Sequence, residues 1–222
     1  MGMIKVKSRN LWQRLIHPIT GYFRRRRGQF LLTNFPDLRD YSICDLGGSI
    51  HFWEKMNLDI KWKNITIYNI CNNEVAGINN AGNEKKVCIY DGFTIPVEDG
   101  HFDLLICNSV IEHVPLHQRP PLVKEMRRVA KKIFCQTPAL SSILDPHFII
   151  PIIHWLPKWL GYYLVYISPW KILSRPSKAT IDDYFWGTNL LDKKEIRALF
   201  PHSDIYMETF LCLPKSYYII EK

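Results

Sequence analysis

The sequence predicts an α/β protein whose core is a doubly wound, mainly parallel sheet, closed at the C-terminus by an antiparallel hairpin. Three observations carry this reading. Short apolar runs recur at residues 41–46, 65–70, 87–90, 102–107 and 133–136, separated by helix-like segments or crossover loops, which is the spacing of parallel strands. The run at 102–107 is continuously apolar, as in a strand covered on both faces. Residues 204–212 and 216–220 then form two neighbouring runs joined across Leu213-Pro214-Lys215, a hairpin pattern.

A chain of 222 residues with 47% hydrophobic and 23% charged content is that of one folded domain with a substantial core. Its net charge of +8 is local. Residues 1–28 hold Lys5, Lys7, Arg9, Arg14 and Arg24 to Arg27 with no acid, and residues 29–222 hold 21 basic and 21 acidic residues. The sequence therefore divides into a basic N-terminal arm, 1–28, and a neutral body, 29–222. Within residues 3–23, Leu11, Trp12, Leu15, Ile16 and Ile19 repeat at helical spacing, and Pro18 is expected to kink or end that helix. A basic amphipathic arm suits an anionic surface, phospholipid or nucleic acid. A leading helix that packs on the core or closes over a ligand is the alternative.

The first strand, 41–46, runs into Asp45, Gly47 and Gly48, and a helix begins at Ser49 and continues to Met56. A strand, a glycine turn and a helix N-terminus in that order let a ligand approach the backbone where a Cβ would collide with it. Dinucleotide sites space their glycines as G-x-G-x-x-G. Here Gly47 and Gly48 are adjacent, and Ser49 and His51 stand where later glycines belong. The turn therefore argues against a pyrophosphate and for a ligand without phosphate. Residues 71–86 read as an Asn- and Gly-rich loop. Pro120 and Pro121 suit a first helical turn, with Leu122, Val123, Met126, Val129 and Ala130 as one apolar stripe. Asp192 is a helix N-cap, with Glu195 three residues on.

Six cysteines include no CxxC pair and no Cys/His cluster of zinc spacing. They read as free thiols of a reducing cytoplasm. There is no signal-peptide pattern. The longest apolar stretch, 148–170, is broken by Pro151, Pro157 and Pro169, which argues against a transmembrane helix.

Residues 91–114, Asp-Gly-Phe-Thr-Ile-Pro-Val-Glu-Asp-Gly-His-Phe-Asp-Leu-Leu-Ile-Cys-Asn-Ser-Val-Ile-Glu-His-Val, resemble the central region of class I S-adenosylmethionine-dependent methyltransferases of the small-molecule type. The matching features are Phe102-Asp103-Leu104 and the run Ser109 to Val114, at the right distance from Asp45-Leu46-Gly47-Gly48. The resemblance covers about residues 41–140 and returns at 190–222. It implies a Rossmann-like seven-stranded sheet with an antiparallel C-terminal hairpin. S-adenosylmethionine is the implied cofactor. Asp45, Gly47 and Gly48 would line its methionine moiety, with Asp45 near the amino group. Asp91 would meet the adenine amino group, with Gly92 and Phe93 beside the ring. Asn108 and Ser109 would form the floor near the sulfonium. Asn69 occupies the position where the family usually has a ribose-binding acid, so binding there lacks the charge.

The cofactor carries the difficult chemistry, and for a hydroxyl acceptor a general base is needed, for which His113 and His147 are the candidates. No metal constellation is present. Residues 138–188 are Pro- and aromatic-rich and too long for a plain connection. They read as an inserted lid or acceptor element, similar to one in bacterial methyltransferases associated with polysaccharide or lipid-linked glycans. The expected function is methyl transfer to an oxygen of a small-molecule or lipid-linked acceptor, in the cytoplasm or at the inner face of the membrane. The rival readings are a degenerate binding module at the membrane, a nucleic-acid methyltransferase and a nicotinamide-dependent oxidoreductase. The neutral body and the lack of an Asn-Pro-Pro-Tyr-like motif argue against the nucleic-acid enzyme.

Overall fold

The structure, a computed structural model, describes residues 11–56, 58–70, 85–145 and 148–222. Most of the loop expected at 71–86, His147 and the first ten residues of the basic arm lie outside the described residues.

Five strands follow the expected order: β1 (Ile43–Leu46), β2 (Ile65–Asn69), β3 (Lys86–Ile89), β4 (Leu104–Asn108) and β5 (Ile133–Pro138). They are mutually parallel, and β6 (Asp204–Phe210) and β7 (Leu213–Glu221) complete a seven-stranded sheet of order β3-β2-β1-β4-β5-β7-β6. β7 is antiparallel to both of its neighbours. The chain winds outward from β1 to β3, then returns to β4 on the other side of β1. That reversal opens a crevice at the C-terminal ends of β1 and β4, where ligands of such sheets bind.

The hairpin turn lies at Leu211 and Cys212, two residues earlier than the sequence suggests. Both have positive φ, +50° and +63°, the combination whose twist matches that of two adjoining strands. Pro214 is thereby placed inside β7, opposite the irregularity between Glu208 and Thr209, where a missing N–H is tolerated.

Helices cover both faces. One face packs α3 (Arg119–Val129) and α7 (Lys193–Leu199) over Leu105, Cys107 and Cys135 through Leu122, Val123, Met126 and Ile196. Asp192 caps α7 as expected, its Oδ1 accepting from the Glu195 N–H at 2.7 Å. The other face packs α1 (Leu11–Asn34) and α2 (Ile50–Met56) over Ile43, Ile106 and Phe134 through Leu31, Phe35, Phe52 and Met56.

α1 is a leading helix that packs on the core, one of the two readings of the N-terminus. It continues through Pro18, which neither ends it nor separates an arm from the body, and it crosses residue 28 without a break. A proline inside a helix costs about 3 kcal/mol. Burial of the turns after it, through Phe23, Leu31 and Phe35, is the larger effect, because each such side chain contributes about 1.5–3 kcal/mol. Arg27 shares that buried stripe and is only 6% exposed.

Residues 138–188 form a helical layer of their own: a short 3-10 turn (Ile153–Trp155), α4 (Lys158–Tyr166), α5 (Pro169–Ser174) and α6 (Lys178–Gly187). They enclose a third apolar cluster of Phe148, Ile153, Val165, Ile181 and Phe185. α5 packs against α1, so this layer is tied to the domain through the leading helix.

Because α1 belongs to the core, Leu31→Ala is expected to lower unfolding free energy by about 2–5 kcal/mol. Urea denaturation would measure it. A change under about 0.5 kcal/mol, the range of surface substitutions, would mean that α1 is an appended arm.

Candidate active site

The sequence-identified residues of the glycine turn and of β2 to β4 lie at one edge of the sheet. Asp45 is in β1, Asn69 ends β2, Asp91 to Phe93 follow β3, and Asn108 and Ser109 close β4. The register sets Leu46 beside Cys107, so Gly47 stands next to Asn108.

Gly47 has φ +68°, and a Cβ on it would lie 2.6 Å from the Val110 side chain. Its N–H donates to the Tyr68 carbonyl at 2.7 Å. Gly48 is tighter still: a Cβ there would fall 1.7 Å from Asp45 Oδ2. The Asp45 carboxyl is wholly buried beneath the turn, and Trp53 Nε1 donates to its Oδ2 at 2.7 Å. Oδ1 has no partner among the described residues. Burial pushes the Asp45 pKa up to about 7, with the Trp53 bond opposing. Asn69 braces the same turn, its Nδ2 donating to the Gly48 carbonyl at 3.2 Å and its Oδ1 accepting from the Ile70 N–H at 3.1 Å.

Asp91 is exposed. Its Oδ1 accepts from the Phe93 and Thr94 N–H groups at 2.8 and 2.7 Å, and these bonds lower its pKa. Gly92 has φ +87°, and Phe93 is exposed, an open aromatic face at the end of β3. Ser109 holds the left-handed backbone at φ +55°, a conformation that needs support from its surroundings. Gln136 gives that support, its carbonyl accepting the Ser109 N–H and its Oε1 the Ser109 hydroxyl, both at 2.9 Å.

His113 ends a 3-10 turn (Ile111–His113). Its Nδ1 is 3.3 Å from Thr188 Oγ1, and that hydroxyl spends its hydrogen on the Tyr184 carbonyl at 2.6 Å. A neutral His113 that donates to this hydroxyl through Nδ1 carries its lone pair on Nε2, the form a general base uses. Thr188 also lines a cavity of about 360 Å³ under the helical layer, with Leu140, Phe148, Ile153, Phe185 and Lys158. No group of three or more potential metal ligands occurs among the described residues.

Sequence reasoning missed Arg27, Glu112 and Thr188. Arg27 Nη1 donates to Asn108 Oδ1 at 2.6 Å. Glu112 is wholly buried; Thr137 donates to its Oε2 at 3.0 Å, and Oε1 has no partner among the described residues. Burial raises its pKa to about 7. Its backbone is held by Arg119, which also binds the Asn189 carbonyl and Glu195. Glu112 sat inside a quoted motif, but nothing in its spacing separated it from His113. The four-residue rhythm of Phe23, Arg27, Leu31 and Phe35 was the available signal for Arg27.

Residues 46–133 match the family model described as a methyltransferase domain. Over those residues the chain is similar to methyltransferase domains. Magnesium protoporphyrin IX methyltransferase from Synechocystis PCC 6803, solved with bound SAH, overlaps it with TM-score 0.56 at 11% identity, over 97% of this chain and 89% of that one. A SAM-dependent methyltransferase from Archaeoglobus fulgidus overlaps with TM-score 0.53 at 10% identity, over 89% and 93%. A structure titled as a Zn-dependent alcohol dehydrogenase, from Rhodobacter sphaeroides, overlaps with TM-score 0.54 at 14% identity, over 88% and 87%. Such overlaps show the fold alone, and it is the family match that selects methyl transfer. No curated protein matches the sequence.

S-adenosylmethionine is the cofactor that the sequence resemblance implies, and the edge described here fits it. The backbone is bare at Gly47 and Gly48. Asp45 Oδ1 and Arg27 Nε, an acceptor and a donor, are both buried without partners among the described residues, as an amino-acid zwitterion requires.

Two outcomes test this site. Gly48→Ala is expected to cost about 3 kcal/mol of stability through the clash with Asp45. Adding Asp45→Ala should recover part of that loss in a double-mutant cycle, and simple additivity would mean the two do not touch. Asp45 and Glu112 each give up a proton near pH 4 when unfolded but near 7 when folded. Between those values the folded state holds more protons, so stability falls as pH rises, by on the order of a few kcal/mol in all. Urea unfolding at pH 5 and 7.5 would show the decline, and Glu112→Gln should make it shallower.

Proposed function

We propose that this chain methylates an oxygen of a small-molecule or lipid-linked acceptor at an anionic membrane surface, with residues 138–188 as its acceptor element. The observation that carries the reading is the His113–Thr188 contact, because it links the strand-end site to the cavity beneath the lid. Bound S-adenosylmethionine supplies a sulfonium methyl that is already activated. The chain's own task is alignment, exclusion of water and removal of one proton. His113 Nε2 takes the acceptor hydroxyl proton as oxygen gains the methyl group. Ser109 and Asn108 form the floor, Asp91 and Phe93 hold the adenine end, and Asn69, whose first amide hydrogen goes to the Gly48 carbonyl, offers the ribose its second.

The membrane part rests on exposed side chains. The helical layer leaves Trp155, Trp159, Tyr163 and Ile167 exposed, the aromatic and aliphatic mixture suited to a bilayer interface. On α1, Ile19 and Tyr22 are exposed and lead into Arg24, Arg25 and Arg26. None of these three arginines has an ion pair among the described residues. No described helix is long and apolar enough to cross a membrane, so surface attachment is the form this takes.

Isothermal titration should show S-adenosylmethionine and S-adenosylhomocysteine binding to the full chain, and absence of heat at millimolar ligand would remove the enzyme reading. With any hydroxyl acceptor that the wild type methylates, His113→Ala should lower turnover by about 10²–10⁴-fold while leaving cofactor affinity in place. For the membrane, flotation with phosphatidylglycerol vesicles is expected for the wild type. It should be lost in Arg25→Glu/Arg26→Glu and weakened in Trp159→Ser/Tyr163→Ser. Flotation indifferent to both pairs would refute attachment through these faces.

A further inference from the structure

Arg27 is the one arginine of the 24–27 run that the fold takes out of solvent. It lies on the buried stripe of α1, between Phe23 and Leu31. Its guanidinium spans the C-terminal edge of the sheet on the α1 face. Nη1 donates to Asn108 Oδ1 at 2.6 Å, and the group lies 5.6 Å from the centre of the Tyr218 ring.

A guanidinium has five N–H donors and keeps its charge at any physiological pH. Burying it without a partnered anion is costly. The nearest paired carboxylate is Glu208, and its closest approach to Nη2 is 4.0 Å, longer than a hydrogen bond. Glu208 is moreover already engaged: Lys215 donates to Oε2 and Tyr218 to Oε1, each at 2.5 Å. Buried Arg27 and half-buried Lys215 thus share the Glu208 carboxylate, the buried Glu112 carboxyl acts on Arg27 only at a distance, and Arg27 Nε has no partner among the described residues. Such a group is short of one anion.

The order of strands indicates which anion. If Asp91 and Phe93 after β3 take the adenine, the cofactor extends across β2 and β1 toward β4. Those three strand spacings span about 14 Å, and they bring its amino-acid end to Gly47, Asn108 and the guanidinium fixed on Asn108. We propose, on the S-adenosylmethionine reading above, that Arg27 binds the carboxylate of the cofactor's methionine moiety. α1 is then a wall of the cofactor pocket as well as a core helix. The bond is a charge-assisted one in a water-poor site, which makes it strong. Asp45, with its own unpartnered oxygen, faces the ammonium at the same end.

The test uses two probes that differ in the amino-acid portion. S-adenosylhomocysteine has the carboxylate, and 5′-methylthioadenosine lacks both carboxylate and ammonium. Titration calorimetry would measure both ligands against the wild type, Arg27→Gln and Arg27→Lys. Arg27→Gln should weaken S-adenosylhomocysteine by about 10- to 100-fold and leave 5′-methylthioadenosine within about twofold, with Arg27→Lys between it and the wild type. Equal weakening of both ligands would make Arg27 a strut that merely shapes the pocket, and unchanged affinities would remove it from the site. Either result overturns the assignment. Should Arg27→Gln fail to melt cooperatively by circular dichroism, the same difference between the two ligands is required of Arg27→Lys. A wild type that binds neither ligand would defeat the methyltransferase reading first, an outcome distinct from a failure of Arg27 alone.

Discussion

The site is organised by one steric and electrostatic constraint, the Asp45 carboxyl pressed beneath the backbone of Gly48. The carboxyl has no exposed surface, and one oxygen is held by the Trp53 indole. No side chain other than hydrogen fits above it. The turn therefore cannot relax, and what depends on it follows in sequence. Gly47 takes a left-handed φ, the backbone comes up against Val110, and α2 starts at a fixed place beside β2. A buried carboxyl is costly, and one oxygen of this one has no partner among the described residues.

A second set of buried charges joins elements far apart in the chain. Arg119 is fully buried and gathers Val114, Glu112, Asn189 and Glu195 around one guanidinium. It fixes the segment bearing His113 to the point where the helical layer re-enters the domain. Arg27 does the corresponding work from α1, joining it to the ends of β4 and β6. The helical layer is thus tied at its return by Arg119 and along α5 by α1, and on its outer surface Trp155 donates its indole N–H to the Leu140 carbonyl at 2.8 Å.

Much of this was legible in the chain because the signals were local. Each of the five parallel strands was visible as an apolar run, and the edge residues followed from the strand ends. The hairpin was visible too, but its turn was misplaced, because Pro214 suggests a turn and Leu211 and Cys212 give no hint of positive φ. α1 was only partly legible: a leading helix that packs on the core was one of two readings, but its run through Pro18 was not foreseen. Pro18 and four consecutive arginines look like a break and a tail, yet spacing by four put Arg27 between Phe23 and Leu31. An arm and a packing helix were both open from the sequence, and in the fold the apolar neighbours decide. Glu112 and Thr188 were beyond reach for a different reason: their roles arise from contacts between segments distant in sequence, with Thr188 meeting His113 across 75 positions.

Asn69 has a wider consequence. Both ends of its amide are committed, the nitrogen to the Gly48 carbonyl and the oxygen to the Ile70 N–H. An aspartate there would keep the second bond and set a carboxylate oxygen against the carbonyl that the nitrogen now satisfies. The neutral amide and the adjacent-glycine turn therefore form a matched pair, and neither residue is free to drift alone. Where the sequence resemblance implies an acid at the end of β2, the geometry of this turn favours the amide instead.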